Sequence, residues 1–277
     1  MARTAGPSLA ALVLAIWDIS YCLWVHFIMM AMANVITFYI KIPDHRNGNI
    51  RSIKEWRNCV REGVYMRMHI TLEKWIMVTG FFSLFFLLPV LTILLPIRLR
   101  SFEQGGTWFG VVEASASIGA IIAGFFGTKH VVRFMGQFNS LILSGVLSGI
   151  SIVIMGRFSD PIIFSILYFI IGFSGSVSAT VGATHRLLAT PQDFRVRLSA
   201  TSVMVTMMAG AISPSMAGIS ANYFGPASTY TLYGAMIILL SSLYYLIPRC
   251  REFFNLDHNS VKDWYLREYP EAFSRSP

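Results

Sequence analysis

Long apolar runs alternate with short polar connectors along most of the chain. A polar break at 17–20 precedes an apolar run at 21–40, and the residues before the break suffice for only part of a helix. About twenty apolar residues cross the hydrocarbon core of a membrane as a helix. Six further runs reach or approach this length, at 75–97, 110–127, 136–155, 162–183, 199–223 and 230–247. The pattern predicts an all-α polytopic membrane protein with about eight transmembrane helices.

The longest connector, 41–72, is basic and has helical periodicity in its middle. Apolar residues recur at helical spacing within 52–68, namely Ile53, Trp56, Val60, Val64 and Met68. This spacing predicts either an amphipathic helix on the membrane surface or a solvated linker helix. The last stretch, 248–277, is polar and mixed in charge, so we expect an aqueous tail.

The composition agrees with a membrane protein and the distribution of charge predicts its orientation. Of the 277 residues, 55% are apolar and 13% are charged, whereas soluble domains carry about a quarter charged residues. Most of the 22 Lys and Arg residues fall in the long connector, the tail and two short loops, which alternate spans place on one side. The positive-inside rule predicts that this side, including the C-terminus, is cytoplasmic.

One short motif occurs twice in the chain. The segment 6–11, GPSLAA, aligns without a gap with 213–218, SPSMAG, so that Pro7 pairs with Pro214. A helix pair repeated after about two hundred residues is typical of transporters built from two related halves. About four predicted helices precede the second copy and none precedes the first. We therefore expect the chain to begin within the first half of such a protein.

Glu113 is the acidic residue that lies well inside a predicted span. An ionisable group in hydrocarbon is costly unless it faces a cavity or a partner, which favours a functional interpretation. At helical spacing Glu113 shares a face with Ser117, Ala120 and Gly124. A second stripe of small residues, at 115, 119, 123 and 127, suits close approach to another helix. The alternative is that Glu113 lies near the membrane interface and only reaches water.

Other chemistry has little support in the sequence. It contains no phosphate-binding glycine loop, no HExxH and no GxSxG motif, so ATP hydrolysis and zinc or serine catalysis are not indicated. The 3 cysteines have no metal-ligand spacing. We predict neither an enzyme nor a bound cofactor. His185 and Arg186 lie at a predicted helix end, where a capping role is expected.

The loop 190–200 reads TPQDFRVRLSA. Its Pro191, Arg195 and Arg197 resemble the cytoplasmic P-x(2–3)-R-G-R-x-x-A motif that precedes helix eleven in the major facilitator superfamily. The segment 109–119, which contains Glu113, resembles the acidic helix-eight pattern of the drug:proton antiporter branch. That branch includes macrolide-efflux and enterobactin-exporter-like proteins.

The N-terminal motif resembles the same branch. Gly6 and Pro7 are similar to the start of its helix-five motif GP-x-x-GG, whose last two glycines are replaced by Ala10 and Ala11. The repeat makes Pro214 and Gly218 the matching helix-shaping residues in the second half. The sequence at 61–63, REG, resembles the family segment between the halves.

The resemblance implies a match from about helix 5 to helix 12 of the family. Residues 1–40 would end the N-terminal bundle, with part of helix 5 and helix 6, and 41–72 would be the cytoplasmic connector between the bundles. A complete six-helix C-terminal bundle would follow at 73–247, and then a cytoplasmic tail at 248–277. The partners implied are the lipid bilayer of a bacterial inner membrane, a small-molecule substrate and a proton, with no nucleic acid.

The resemblance implies proton-coupled efflux of small amphipathic compounds, of the drug or siderophore class, by rocking of two helix bundles. Glu113 would then be a proton-coupling or substrate-path residue. A second interpretation is a truncated fragment, or a membrane subunit, that transports nothing unless helices 1–4 come from elsewhere. A homodimer is less favoured because a helix and a half would lack partners.

Overall fold

The computed structural model describes residues 19–39, 53–100, 102 and 105–273. Throughout these ranges the regular structure is helical. The two helices before the main bundle are α1, Ile19–Tyr39, and α2, Ile53–His69. The described side chains of α1 are nearly all exposed, including Trp24 at 64% and Phe38 at 89%.

Long apolar helices form the main bundle. They are α3, Thr71–Leu99; α4, Gly105–Ile122; α5, Thr128–Arg157; α6, Pro161–Ala189; α7, Arg195–Phe224; and α8, Pro226–Leu243. Two single π-helical turns interrupt the regular winding. One, Val90–Leu94, lies within α3, and the other, Ala123–Gly127, connects α4 to α5.

The described residues contain 5 stretches long and apolar enough to cross a membrane, namely Thr71–Leu99, Gly105–Arg157, Pro161–Ala189, Gln192–Phe224 and Pro226–Leu246. The second is 53 residues long, well beyond the roughly 20 that one crossing needs. The apolar part of α1, Leu23–Tyr39, is shorter. The all-α membrane fold is therefore as predicted, while the number of eight spans stays a prediction.

Glycine and proline set the breaks between the long helices. Gly136 has φ +77° and ψ 167°, so it interrupts α5 where the sequence predicts the start of a new span. Asp160 caps α6 by accepting hydrogen bonds from two backbone amides, the shorter at 2.7 Å, and Pro161 occupies the first turn. Gly225, with φ +78°, and Pro226 separate α7 from α8. A positive φ suits glycine and the first turn of a helix tolerates proline, so these residues end one helix and begin the next.

Small residues let α4 and α6 approach closely. A Cβ atom added at Gly119 would collide with the carbonyl of Phe169, and one added at Gly172 would collide with the carbonyl of Ala116. The Ser115 hydroxyl donates a 2.7 Å hydrogen bond to a carbonyl of α6. The second stripe of α4 therefore packs on α6 in the manner its spacing predicts.

The tail packs on the end of the bundle, which the sequence does not predict. It forms four short helices, α9 to α12, at Cys250–Phe254, His258–Val261, Trp264–Glu268 and Pro270–Phe273. Phe253, Trp264 and Tyr265 are buried, and the backbone amide of Asp263 donates to the carbonyl of Leu188 at 3.1 Å. The average polarity of the segment hides aromatic side chains that gain by burial, and the aqueous location of the tail stays a prediction. The end of the bundle covered by this tail is called the tail-side end below.

The connector helix α2 also packs on the protein. Met66 is buried, and a Cβ atom at Gly63 would lie 3.0 Å from the carbonyl of Arg197 in α7. Val64 and Met68 remain partly exposed. The helix therefore lies against the tail-side end of the bundle, and its environment on the other face stays a prediction.

Candidate functional site

An open cavity of about 600 Å³ lies between α3, α4 and α6, and Glu113 is in its wall. The lining is otherwise apolar, small or hydroxylated, with Leu87, Leu91, Ala116, Ser117, Ala120, Ile121, Gly124, Tyr168, Ile171, Gly172, Gly175, Ser176, Ala179 and Thr180. The volume is within the range of pockets that hold small molecules. The cavity is therefore the strongest candidate for a substrate site among the described residues.

Glu113 reaches this cavity because its face of α4 is built from small residues. Ser117, Ala120 and Gly124 all line the cavity with it, as the helical spacing of the sequence predicts. The Ser117 hydroxyl donates to the backbone carbonyl of Glu113 at 3.1 Å rather than to its carboxyl group. Small neighbours thus leave space for a ligand beside an acidic group.

Tyr168 supplies a second polar group to the cavity. Its side chain is fully buried, and its hydroxyl donates a 3.2 Å hydrogen bond to the carbonyl of Val90 at the start of the π turn in α3. A π turn misaligns the backbone ladder, and such turns often occur at functional sites. Tyr168 therefore joins α6 to the irregular part of α3 beside the cavity.

The cavity suits binding better than bond-breaking chemistry. Among the described residues, no Lys, Arg or His lies within salt-bridge distance of Glu113, and no group of metal-ligating side chains is present. A single carboxyl group in an apolar cavity can bind a proton or a cationic or hydrogen-bonding group of a ligand.

The predicted loop residues lie at the start of α7. Pro191 precedes the single turn Gln192–Phe194, and Arg195 donates through Nε to the carbonyl of Thr190 at 3.1 Å. Arg197 forms a 2.8 Å ion pair with Glu62 of α2. These contacts hold the loop and connect the bundle to α2.

The predicted helix-shaping residues are only partly described. Gly6 and Pro7 lie outside the described residues. Pro214 stands within α7, which continues as a helix through it, and a Cβ atom at Gly218 would meet nothing within 4 Å. Neither Pro214 nor Gly218 lines the cavity that contains Glu113.

A buried charge cluster at the tail-side end is a feature that the sequence did not predict. The Glu73 carboxylate is 1% exposed and accepts two hydrogen bonds of 2.6 Å from Arg186, through Nε and Nη2. Tyr265 of the tail donates a third, also of 2.6 Å, and Arg67 of α2 lies 3.6 Å away. The cluster joins α2, α3, α6 and the tail.

Arg67 extends the cluster to α7. Its Nη2 donates hydrogen bonds of 2.7 Å to the Leu198 carbonyl and to the Ser202 hydroxyl. Burial lowers the pKa of the Arg67 guanidinium, and the neighbouring Glu73 carboxylate opposes this shift. Burial raises the pKa of the Tyr265 hydroxyl well above its usual value, so Tyr265 stays a hydrogen-bond donor.

The sequence contained only weak signals for this cluster. Glu73 and Arg186 are charged residues near the ends of apolar helices, but their pairing spans 113 positions. Arg186 lies in the last turn of α6, where its capping role stays a prediction, and its guanidinium pairs with Glu73. His185 instead places Nε2 at 3.3 Å from the carbonyl of Leu256 in the tail. The aromatic residues of the tail were the signal that could have predicted its burial.

The fold defines a class, that of multi-pass helical membrane proteins. Within it, the chain is 26% identical over 259 residues to the staphyloferrin A transporter of Staphylococcus aureus (strain NCTC 8325 / PS 47). The alignment covers 89% of this chain and 61% of the relative, so the chain spans less than two thirds of that protein. No protein-family profile and no solved structure matches the chain.

Proposed function

We propose that the chain forms part of a secondary transporter of the major facilitator type, in its drug:proton antiporter branch. The similarity to a named transporter and the helical membrane fold point to a transporter rather than an enzyme. The observation that carries the proposal is the cavity of about 600 Å³ with Glu113 in its wall. Its substrate would be a small amphipathic compound of the drug or siderophore class.

In this proposal the halves of the complete transporter rock about the cavity and expose it to alternate sides of the membrane. Residues 1–40 end the first bundle, 41–72 connect the bundles and 73–247 form the second bundle. The protein resides in a bacterial inner membrane with its C-terminal tail, 248–277, in the cytoplasm. The position of the basic loops on one side supports that orientation.

Glu113 would bind the coupling proton or a polar group of the substrate. A carboxylate that alternates between a proton and a ligand couples the two, because either one removes the cost of an uncompensated charge in an apolar cavity. The small residues beside Glu113 would accommodate the substrate. In this proposal Gly6, Pro7, Pro214 and Gly218 shape the helices that move. Pro191, Arg195 and Arg197 form the cytoplasmic loop motif.

Export measured in cells tests the role of Glu113. Cells without their own siderophore and drug exporters would produce the full chain together with helices 1–4 of a homologous transporter. Export of labelled staphyloferrin A and of an amphipathic drug panel would be followed with and without an uncoupler. Glu113→Gln should abolish uncoupler-sensitive export, and Glu113→Asp should retain part of it. Glu252→Gln, which changes an exposed tail carboxylate, is the matched control. Uncoupler-sensitive export at the normal rate in Glu113→Gln would remove Glu113 from the mechanism.

A second proposal is that the chain transports only together with further helices. The exposed side chains of α1 and the 61% coverage of the relative motivate it. An apolar helix without neighbours can face lipid, but a polar cavity wall cannot do so without cost. Proteoliposomes that contain residues 1–277 alone should then show no export. Export by these proteoliposomes would reject the second proposal and support the first.

A further inference from the structure

A second cavity, of about 330 Å³, lies at the tail-side end between α6 and α7. Arg67, Arg186 and Arg195 line it together with Glu73. It is distinct from the cavity of Glu113, with which it shares no lining residue. The charged groups in its wall are thus three guanidinium groups and one carboxylate.

The single carboxylate does not balance the surrounding positive charge. Both oxygens of Glu73 already accept hydrogen bonds from Arg186, and Oε1 accepts another from Tyr265. Arg67 is 2% exposed and lies 3.6 Å from Glu73, a distance too long for a good hydrogen bond. Its Nε–H is buried and has no acceptor within the described part of the chain. A buried guanidinium with an unsatisfied donor is costly unless an anion compensates it.

The remaining wall suits a ligand with an anionic head and an apolar body. The hydroxyl-bearing residues Thr190, Ser199 and Ser202 line the cavity beside the arginines. Leu187 and Val203 are also lining residues, and they are 51% and 55% exposed. Guanidinium groups and hydroxyls bind phosphate oxygens well, and exposed apolar side chains at the rim can contact acyl chains.

We propose that this cavity binds a phosphate-bearing anion, with the phosphate against Arg67 and Arg195 and the hydroxyls beside them. The apolar rim favours the head group of an anionic phospholipid as the source. Free phosphate has the same head chemistry without the apolar contacts. The bound phosphate would supply the negative charge that Glu73 alone does not provide.

Calorimetric titration of the purified full chain in a nonionic detergent tests this proposal. The probes are dioctanoyl phosphatidylglycerol, the zwitterionic dioctanoyl phosphatidylcholine and inorganic phosphate. We expect phosphatidylglycerol to bind, and Arg67→Gln and Arg195→Gln each to weaken it roughly tenfold, as expected for loss of a charge-assisted hydrogen bond. Arg251→Gln, which changes an exposed tail arginine, should bind as the unaltered chain does.

The outcomes separate the two sources of phosphate. Binding of phosphatidylglycerol but not of inorganic phosphate, weakened by the two cavity variants, supports a lipid site. Binding of inorganic phosphate with the same dependence supports a soluble anion. Equal affinity for phosphatidylcholine, no binding of any probe, or unchanged affinity in Arg195→Gln would overturn the proposal. Arg195→Gln keeps the test valid if Arg67→Gln does not fold. None of these results depends on transport activity.

Discussion

Among substitutions of single charged residues in the described part of the chain, Glu73→Gln should be one of the most destabilising. In Glu73→Gln the side chain keeps its size but loses the charge that compensates Arg186 and Arg67. Two hydrogen bonds of 2.6 Å from Arg186 and one from Tyr265 then lose their charged acceptor. The Arg67 and Glu73 side chains are 3% and 1% exposed, so water does little to solvate the Arg67 charge that remains, whereas Arg186 is 26% exposed.

The expected loss of unfolding free energy follows from the burial of the Glu73 ion pair. Removing one partner of a buried ion pair costs about 3–5 kcal/mol, because the other charge stays buried without compensation. At roughly 1.4 kcal/mol per factor of ten, the unfolding equilibrium constant rises by about two to three and a half powers of ten. The control is Glu62→Gln, which breaks a partly exposed pair in which Arg197 and Glu62 are 33% and 19% exposed. That pair should contribute no more than about 1 kcal/mol.

The assay is unfolding of the purified chain in mixed micelles by increasing amounts of dodecyl sulfate, followed by tryptophan fluorescence. Glu73→Gln should unfold at a clearly lower mole fraction of dodecyl sulfate than Glu62→Gln. The double variant Glu73→Gln with Arg186→Gln should recover part of the loss, because it removes one uncompensated charge. If Glu73→Gln costs no more than Glu62→Gln, the cluster does not hold the tail-side end together and the reasoning is wrong.

Further predictions concern packing and thiol reactivity. Gly172→Ala should cost about 1–3 kcal/mol in the same unfolding assay because its Cβ meets the backbone of α4, whereas Gly175→Ala, which meets nothing within 4 Å, should leave stability unchanged or higher. In a Cys22→Ser background, maleimide at pH 8 should label the partly exposed Cys59 and not the buried Cys250. Labelling of Cys250 in the folded protein would contradict its burial. Burial raises the pKa of Cys250 to about 12, whereas the thiol of the unfolded chain ionises near pH 8.5. The contribution of this thiol to stability should therefore fall as the pH rises from about 8.5 towards 12. Cys250→Ala should remove that part of the pH dependence.

The long helices could be predicted from the sequence because apolar length and helix breakers are local signals. The span predicted at 199–223 lies within α7, Arg195–Phe224. The loop predicted between 127 and 136 is instead helical up to Gly136, whose positive φ interrupts α5. The face of Glu113 was also predictable, since residues three, four and seven positions apart on a helix point the same way. Its role in binding or coupling stays a prediction.

Contacts between distant segments could not be predicted in this way. Tyr265 reaches Glu73 across 192 positions, and no local pattern in a single sequence specifies such a pair. The tail shows the same limit, because its polarity averaged over 248–277 conceals Phe253 and Trp264, which are buried. The π turn in α3 was also missed, since periodicity does not reveal one residue added to a turn.

Residues of α3 and α6 line both cavities, and one side-chain contact joins the two helices beside each cavity. Glu73 pairs with Arg186 at the tail-side end, and the Val90 carbonyl accepts from Tyr168 beside the cavity of Glu113. Glu73 of α3 pairs with Arg186 of α6, and the later residue Val90 pairs with the earlier residue Tyr168. The two helices therefore run antiparallel. At 1.5 Å of rise per residue, the two connections lie about 26 Å apart.

These two side-chain connections between α3 and α6 differ in strength. The connection at the tail-side end is a buried ion pair with three short hydrogen bonds, and the connection at the cavity is one neutral hydrogen bond to a π turn. A neutral hydrogen bond contributes about 1 kcal/mol, against about 3–5 kcal/mol for disruption of the buried pair. A ligand in the cavity of Glu113 could therefore displace the π turn of α3 while the tail-side end stays fixed. Movement of α3 should pivot about Glu73 and Arg186 and be largest near Val90.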